Sequence, residues 1–265
     1  MEWSHDKLDT SKSSLFDGLQ GLMIKVPYIM EALDIIQAPS ITRTNDTANR
    51  LDLLDLLRSC FQINAQLLTW YRVLQFQVNG ELYTVAPAVA QNPADDRILG
   101  RVFSFAIHFQ SLSLAQLILL YWSTMILLYR IIGDIQKLLR EYYSITAQNK
   151  SKKDVFPKSA MGQAAEEWSY HGPHSGGLPH LAQSPLLYPL LESTARFAAN
   201  ICQSVEYCYR SENGTLGLQS TVFPIWAAKD FYASQPSLHR EFQWCSEIGN
   251  MRAPDSRFDL KVMKL

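Results

Sequence analysis

This chain has little of what several familiar functions depend on. Only four of its 265 residues are cysteine, and Cys60, Cys202, Cys208 and Cys245 are separated by 142, 6 and 37 positions. No pair has the C-x-x-C spacing of a structural zinc site. All four read as reduced thiols in or beside a core, where free cysteine behaves as a small hydrophobe. Cys202 and Cys208, if carried on one helix, project about 120° apart and do not form a ligand pair. An excess of either charge is also missing. With 24 basic and 25 acidic residues, no global field draws the chain to nucleic acid or to an anionic membrane, so direct DNA contact and membrane binding are not expected. Residues 1–15 are polar, carrying Asp6, Lys7, Asp9 and Lys12, and lack the apolar core of a signal peptide, which argues against export. The sequons at Asn45, Asn149 and Asn213 therefore read as chance.

Motifs that carry chemistry are equally scarce. There is no G-x-G-x-x-G, no P-loop, no G-x-S-x-G and no H-E-x-x-H, so nothing points to nucleotide, hydrolase or zinc-protease chemistry. Ser4-His5-Asp6-Lys7 has the residue types of a triad but sits on a polar terminus with nothing to hold its geometry. Asp95-Asp96 and Glu166-Glu167 are adjacent pairs whose side chains diverge, which is unsuited to a general acid/base couple. His171, His174 and His180 lie in a Gly/Pro-rich stretch that supplies neither a fourth ligand nor partners to orient the rings. The expectation is a protein with no catalytic residue, no metal and no cofactor.

What the chain does have is apolar helical periodicity: 47% of its residues are hydrophobic, ample for a sizeable core. A helix is predicted from about Ser14 to Gln37, bent or interrupted by Pro27 and closed by Pro39. A second follows, capped by Asp46 or Thr47, with Leu51, Leu54, Leu57, Phe61, Ala65 and Leu68 in a helical stripe. Asn79-Gly80 reads as a helix stop in preference to a hairpin turn. Between Ile98 and Tyr143 lies the longest apolar stretch, long enough to rival a membrane span. Gln110, Ser111, Ser113, Gln116, Ser123 and Thr124 favour instead the central helix of an α-helical core. Residues 151–184, rich in Pro, Gly and His, read as a mobile insert, and Lys150, Lys152, Lys153 and Lys158 there as a solvated linker. Further helices are predicted over Leu187 to Glu212, Ser220 to Ala233 and Ser237 to Met251. The fold class is all-α: a flexible N-terminus over 1–13, a compact multi-helix domain over 14–252 and a tail over 253–265.

The most informative stretch is 196–234. Phe197, Ile201, Val205 and Cys208 fall on one helical face, and Arg196, Asn200, Gln203 and Arg210 on the other. Asn213-Gly214 is predicted to end that helix with an αL cap. A second helix, capped by Ser220 with Pro224 near its first turn, would bury Val222, Ile225, Trp226 and Phe231. The run N-I-C-Q-S-V-E-Y-C, then G-T-L-G-L-Q, then V-F-P-I-W-A-A resembles the C-terminal regulatory region of fungal binuclear zinc-cluster transcription factors. F-D-G-L-Q-G-L-M-I-K-V-P, within Leu15 to Ile36, and L-A-Q-L-I-L-L-Y-W-S-T-M-I-L-L-Y, over Leu114 to Tyr129, are similar to segments of such regulators.

That resemblance implies a helical regulatory scaffold, a place in the nucleus with the cytoplasm as alternative, and control of a fungal metabolic pathway, secondary-metabolite biosynthesis included. The six closely spaced cysteines of the family's zinc cluster are not in this sequence. The chain is therefore expected to act through other transcription factors or regulatory proteins, or as a homo-oligomer, without touching DNA itself. It would join a factor, compete for one, or form part of a longer one. Two other function classes stay open: a small-molecule effector module whose pocket is lined by Tyr121, Trp122 and Trp226, and an enzyme of unknown type.

Overall fold

The computed structural model describes residues 6–38, 46–78, 80–89, 95, 98, 100–149 and 187–250. Ser4-His5, Asp96, Glu166-Glu167, the insert at 151–184 with its three histidines, Lys150 to Lys158, and the tail over 253–265 lie outside the described residues. Helices α1 (Asp6–Met23), α2 (Lys25–Gln37) and α3 (Asp46–Gln77) precede strands β1 (Tyr83–Pro87) and β2 (Phe105–Phe109). Then come α4 (Leu112–Asn149), α5 (Leu187–Gln203), the short α6 (Val205–Cys208), α7 (Gly214–Ala233) and α8 (His239–Asn250). The architecture is all-α, with one two-stranded ribbon among the described residues.

Helix α4 is the shared wall of the molecule. It packs against α1, α2 and α3 on one side of the contact network and against α5 and α7 on the other, while α8 packs on α7. Ala115, Ile118, Leu119, Met125, Leu128, Ile132 and Ile135 are fully enclosed and, at about 100° per residue, cover a little over half of the helix, while buried Ser123, Leu127 and Ile131 fill the rest. Ser123 and Thr124 are buried too. Their hydroxyls donate to the Leu119 and Leu120 carbonyls at 2.7 Å, so these two hydroxyls are satisfied by the helix's own backbone. The stretch Leu112–Tyr142 is long and apolar enough to cross a membrane, but 78% of its 18-residue apolar window is buried inside the protein. Packing against neighbouring helices thus accounts for its composition.

Local breaks differ from expectation at four places. The first helical segment starts at Asp6, eight residues before the predicted Ser14, and is two helices divided at Ile24; Pro27 falls in the first turn of α2, where a missing N–H leaves no bond unmade. The helix predicted over Leu187 to Glu212 turns at Ser204, whose N–H reaches both Asn200 and Ile201 carbonyls at 3.1 Å. Its hydroxyl also takes the Asn200 carbonyl at 2.7 Å, the competition by which serine bends a helix. Helix α7 begins at Gly214 and not at Ser220, which places Pro224 in its interior and not near its first turn. Ser220 is no cap: its hydroxyl donates to the Leu216 carbonyl and accepts from Gln116 of α4. At the C-terminal end, a 3-10 turn over Pro236–Leu238 precedes α8 at His239.

Both glycines of G-T-L-G-L-Q have identifiable work. Gly214 has φ 52° and ψ −147°, a conformation open to glycine but outside the αL well that the sequence suggests. A Cβ on Gly217 would collide with the Cys208 carbonyl oxygen and come within 2.8 Å of the Asn213 Cβ. That close approach lets α7 start directly against the end of α6.

The ribbon was not foreseen. Gly80, at φ 113°, follows the end of α3 as a stop should, but the next residues form β1, which pairs antiparallel with β2 from Tyr83↔Phe109 to Pro87↔Phe105. It packs on α4, α5 and α6 through β2 and leads directly into α4.

Candidate functional site

Where the ribbon meets α6, charged side chains pin the chain that connects β1 to β2. The Val89 N–H donates to both carboxylate oxygens of Glu206, at 3.1 and 3.4 Å, and the Val89 carbonyl accepts from Arg101 at 3.3 Å. Asp95 accepts the Val102 N–H at 3.1 Å. Arg240 of α8 donates to the Gly100 carbonyl at 3.0 Å, and Phe103 meets Trp244 edge to face at 5.0 Å. Beneath this connection is a cavity of about 30 Å³ whose lining includes Asp95, Arg101, Cys202, Gln203, Glu206 and Trp244. A space of that size suits one small molecule on the scale of water, well short of a metabolite. Glu206 is buried at 9% exposure, and a buried carboxylate with backbone donors is a structural clamp.

Beside it, Arg210 donates to Nδ1 of His108 at 2.7 Å and lies 5.3 Å from the Tyr207 ring. Guanidinium has only donors, so His108 accepts as neutral imidazole with its proton on Nε2. Burial, then the Arg210 charge, push the His108 pKa below its ordinary value, with Glu206 opposing. None of Glu206, His108, Arg210 and Trp244 was singled out from the sequence as a site residue. Each finds its partner far along the chain, 117 residues for Glu206 and Val89, and no local pattern marks such pairs.

The three aromatics predicted to share an effector pocket do not converge. Tyr121 is core, stacked on Tyr71 at 4.7 Å and Trp70 at 5.6 Å. Trp122, 2% exposed, packs edge to face on Tyr83 at 5.5 Å. Trp226 lies apart from both, half exposed on the outer side of α7 and stacked on Phe223 at 5.9 Å. Val222, predicted buried with it, is 69% exposed, whereas Ile225 and Phe231 are enclosed as expected.

This correction uncovers a surface. The inner side of α7, with Gly217, Thr221, Pro224, Ile225, Ala228, Phe231 and Tyr232, is buried. The outer side exposes Leu216, Gln219, Val222 and Trp226 over about three turns, with partly buried Phe223 at its edge and no charge among them until Lys229 and Asp230. Single exposed apolar residues are ordinary, whereas these exposed side chains lie together along one uncharged side of the helix. Ile24, Tyr28 and Ile35 near α2 are also exposed, but Lys25, Glu31 and Asp34 interrupt them.

All four cysteines are free and buried. Burial pushes the Cys60 and Cys208 thiols up to about 12. Among the described residues no cluster of three or more His, Cys, Asp or Glu is placed to hold a metal ion. Comparison with protein-family models, curated proteins and solved structures gives no match in any of the three.

Proposed function

We propose that this chain is a regulatory protein of the transcription-factor type that works through protein contacts and does not itself read DNA. The uncharged outer face of α7, with Val222 and Trp226 at its centre, is the observation that carries the reading. It offers the apolar anchor, aromatic included, that protein interfaces concentrate at their centres. It also lies within 196–234, the stretch that resembles the regulatory region of fungal zinc-cluster factors. The partner is another transcription factor or regulatory protein presenting an apolar, uncharged helix face. The setting is the nucleus, in control of a metabolic pathway such as secondary-metabolite biosynthesis. A net charge of −1 supplies no electrostatic reason for DNA affinity.

Two measurements test this. Tethered to an unrelated DNA-binding domain in a fungal cell, the chain should change expression of a reporter several-fold. In fluorescence anisotropy at physiological salt, the purified chain should show no sizeable affinity for duplex DNA; tight, salt-dependent binding would overturn the proposal.

A further inference from the structure

Two sulfurs from different helices meet beside the cavity under the β1–β2 connection. Cys202 Sγ of α5 and Cys245 Sγ of α8 are 3.4 Å apart, both buried, and 43 positions apart in sequence. Cys202 also lines the cavity, next to Gln203, Glu206 and Trp244, while Cys60 and Cys208 do not. We propose that Cys202 and Cys245 are a modification site for a small hydroperoxide, which reaches Cys202 through this cavity and leaves an intramolecular disulfide joining α5 to α8.

The chemistry closes without another reactant. The Cys202 sulfur attacks one peroxide oxygen; the S–O bond forms as the O–O bond breaks, and the departing oxygen leaves as water with the thiol proton. Cys202 is then a sulfenic acid. The Cys245 sulfur attacks the Cys202 sulfur, the S–S bond forms as the S–O bond breaks, and the hydroxyl leaves as a second water with the Cys245 proton. Two thiols lose two electrons and hydrogen peroxide is reduced to two waters. The sulfurs must close from 3.4 Å to the roughly 2.05 Å of a disulfide. A cavity of about 30 Å³ admits a molecule little larger than water and excludes bulkier oxidants. Burial keeps Cys202 a thiol by raising its pKa well above the ordinary value, so the reaction is slow. Access and proximity select this sulfur, not acidity. The inference goes beyond the proposed regulatory function and does not rest on it.

The test treats the full chain with hydrogen peroxide, alkylates remaining thiols after denaturation and maps peptides by mass spectrometry. The expected result is a Cys202–Cys245 linked peptide, two hydrogens lighter than its reduced parts, with Cys60 and Cys208 still alkylated. Four alkylated cysteines, or a link that involves Cys60 or Cys208, would overturn the proposal. Ala88 is half-buried and borders the cavity, so Ala88→Leu should narrow it and slow linkage several-fold. An unchanged rate in a folded variant would overturn the route of access.

Discussion

Helices α4 and α7 are both apolar on nearly every side, yet only one has neighbours on every side. Around α4, helices from both halves of the chain close over the apolar surface, and the buried Ser123 and Thr124 hydroxyls turn back on its own carbonyls. Helix α7 is enclosed by α4, α5 and α8 on one side and leaves Leu216, Val222 and Trp226 in solvent on the other. The same compositional signal therefore serves two ends. In α4 it builds the core; in α7 half of it faces solvent.

The largest effect expected separates two tryptophans. Trp122→Ala should destabilise by about 3–5 kcal/mol in urea unfolding, the scale of an aromatic removed from a closed core. Trp226→Ala should stay within about 0.5 kcal/mol, as for exposed positions. Equal losses would mean that the outer face of α7 is as enclosed as α4. Next, Gly217→Ala should cost about 1–3 kcal/mol by driving a methyl into the Cys208 carbonyl. A neutral result would break the account of how α7 is seated, and with it the account of which side faces out.

A smaller effect concerns the ribbon that abuts α6. Because the folded state depresses the His108 pKa, it binds fewer protons there than the unfolded chain does. Stability is fully present above the unfolded value near 6.5 and falls as pH drops from about 7 through that value. The urea midpoint should decline over that range, and His108→Gln should flatten the decline. A slope unchanged in the variant would remove His108 from the explanation. Smallest of all is Asp230→Asn. It breaks the ion pair with Arg130 that links α4 to α7, and with Arg130 about half exposed the change in unfolding free energy should not exceed about 1 kcal/mol. A larger loss would show that charge, and not apolar packing, seats α7 on α4.

Much of the helical framework was legible in the sequence because it follows from local periodicity. In α3, however, the buried face is Leu53, Cys60, Ile63, Leu67 and Leu74, and the stripe expected through Leu51, Leu54, Leu57, Phe61, Ala65 and Leu68 is half-buried or exposed. The core-facing residues of α5 and α6, the burial of α4 and the apolar side of α8 read from spacing. The ribbon did not, since Tyr83 and Phe109 pair across 26 residues and strand preference depends on neighbours brought by the fold. Nor did the start of α7, where Ser220 and Pro224 offered plausible boundary signals but Gly217 against Cys208 decides the geometry. The exposure of Trp226 was illegible for a different reason. A helix apolar all round gives no period that says which side a neighbour covers, so Val222 and Trp226 read as anchors alongside Ile225 and Phe231. Tyr121 and Trp122 are core; a pocket wall stays open for them in the sequence only as an alternative, because aromatic content is the same signal for both.

The claim that the open side of α7 is where this protein acts has one direct test. Wild-type chain and the Val222→Asp, Trp226→Asp double variant are tethered to the same DNA-binding domain, with circular dichroism and the urea midpoint used to establish that both fold alike. Wild type should change reporter expression several-fold and the double variant should not. Equal output from both, with both folded, would contradict the account.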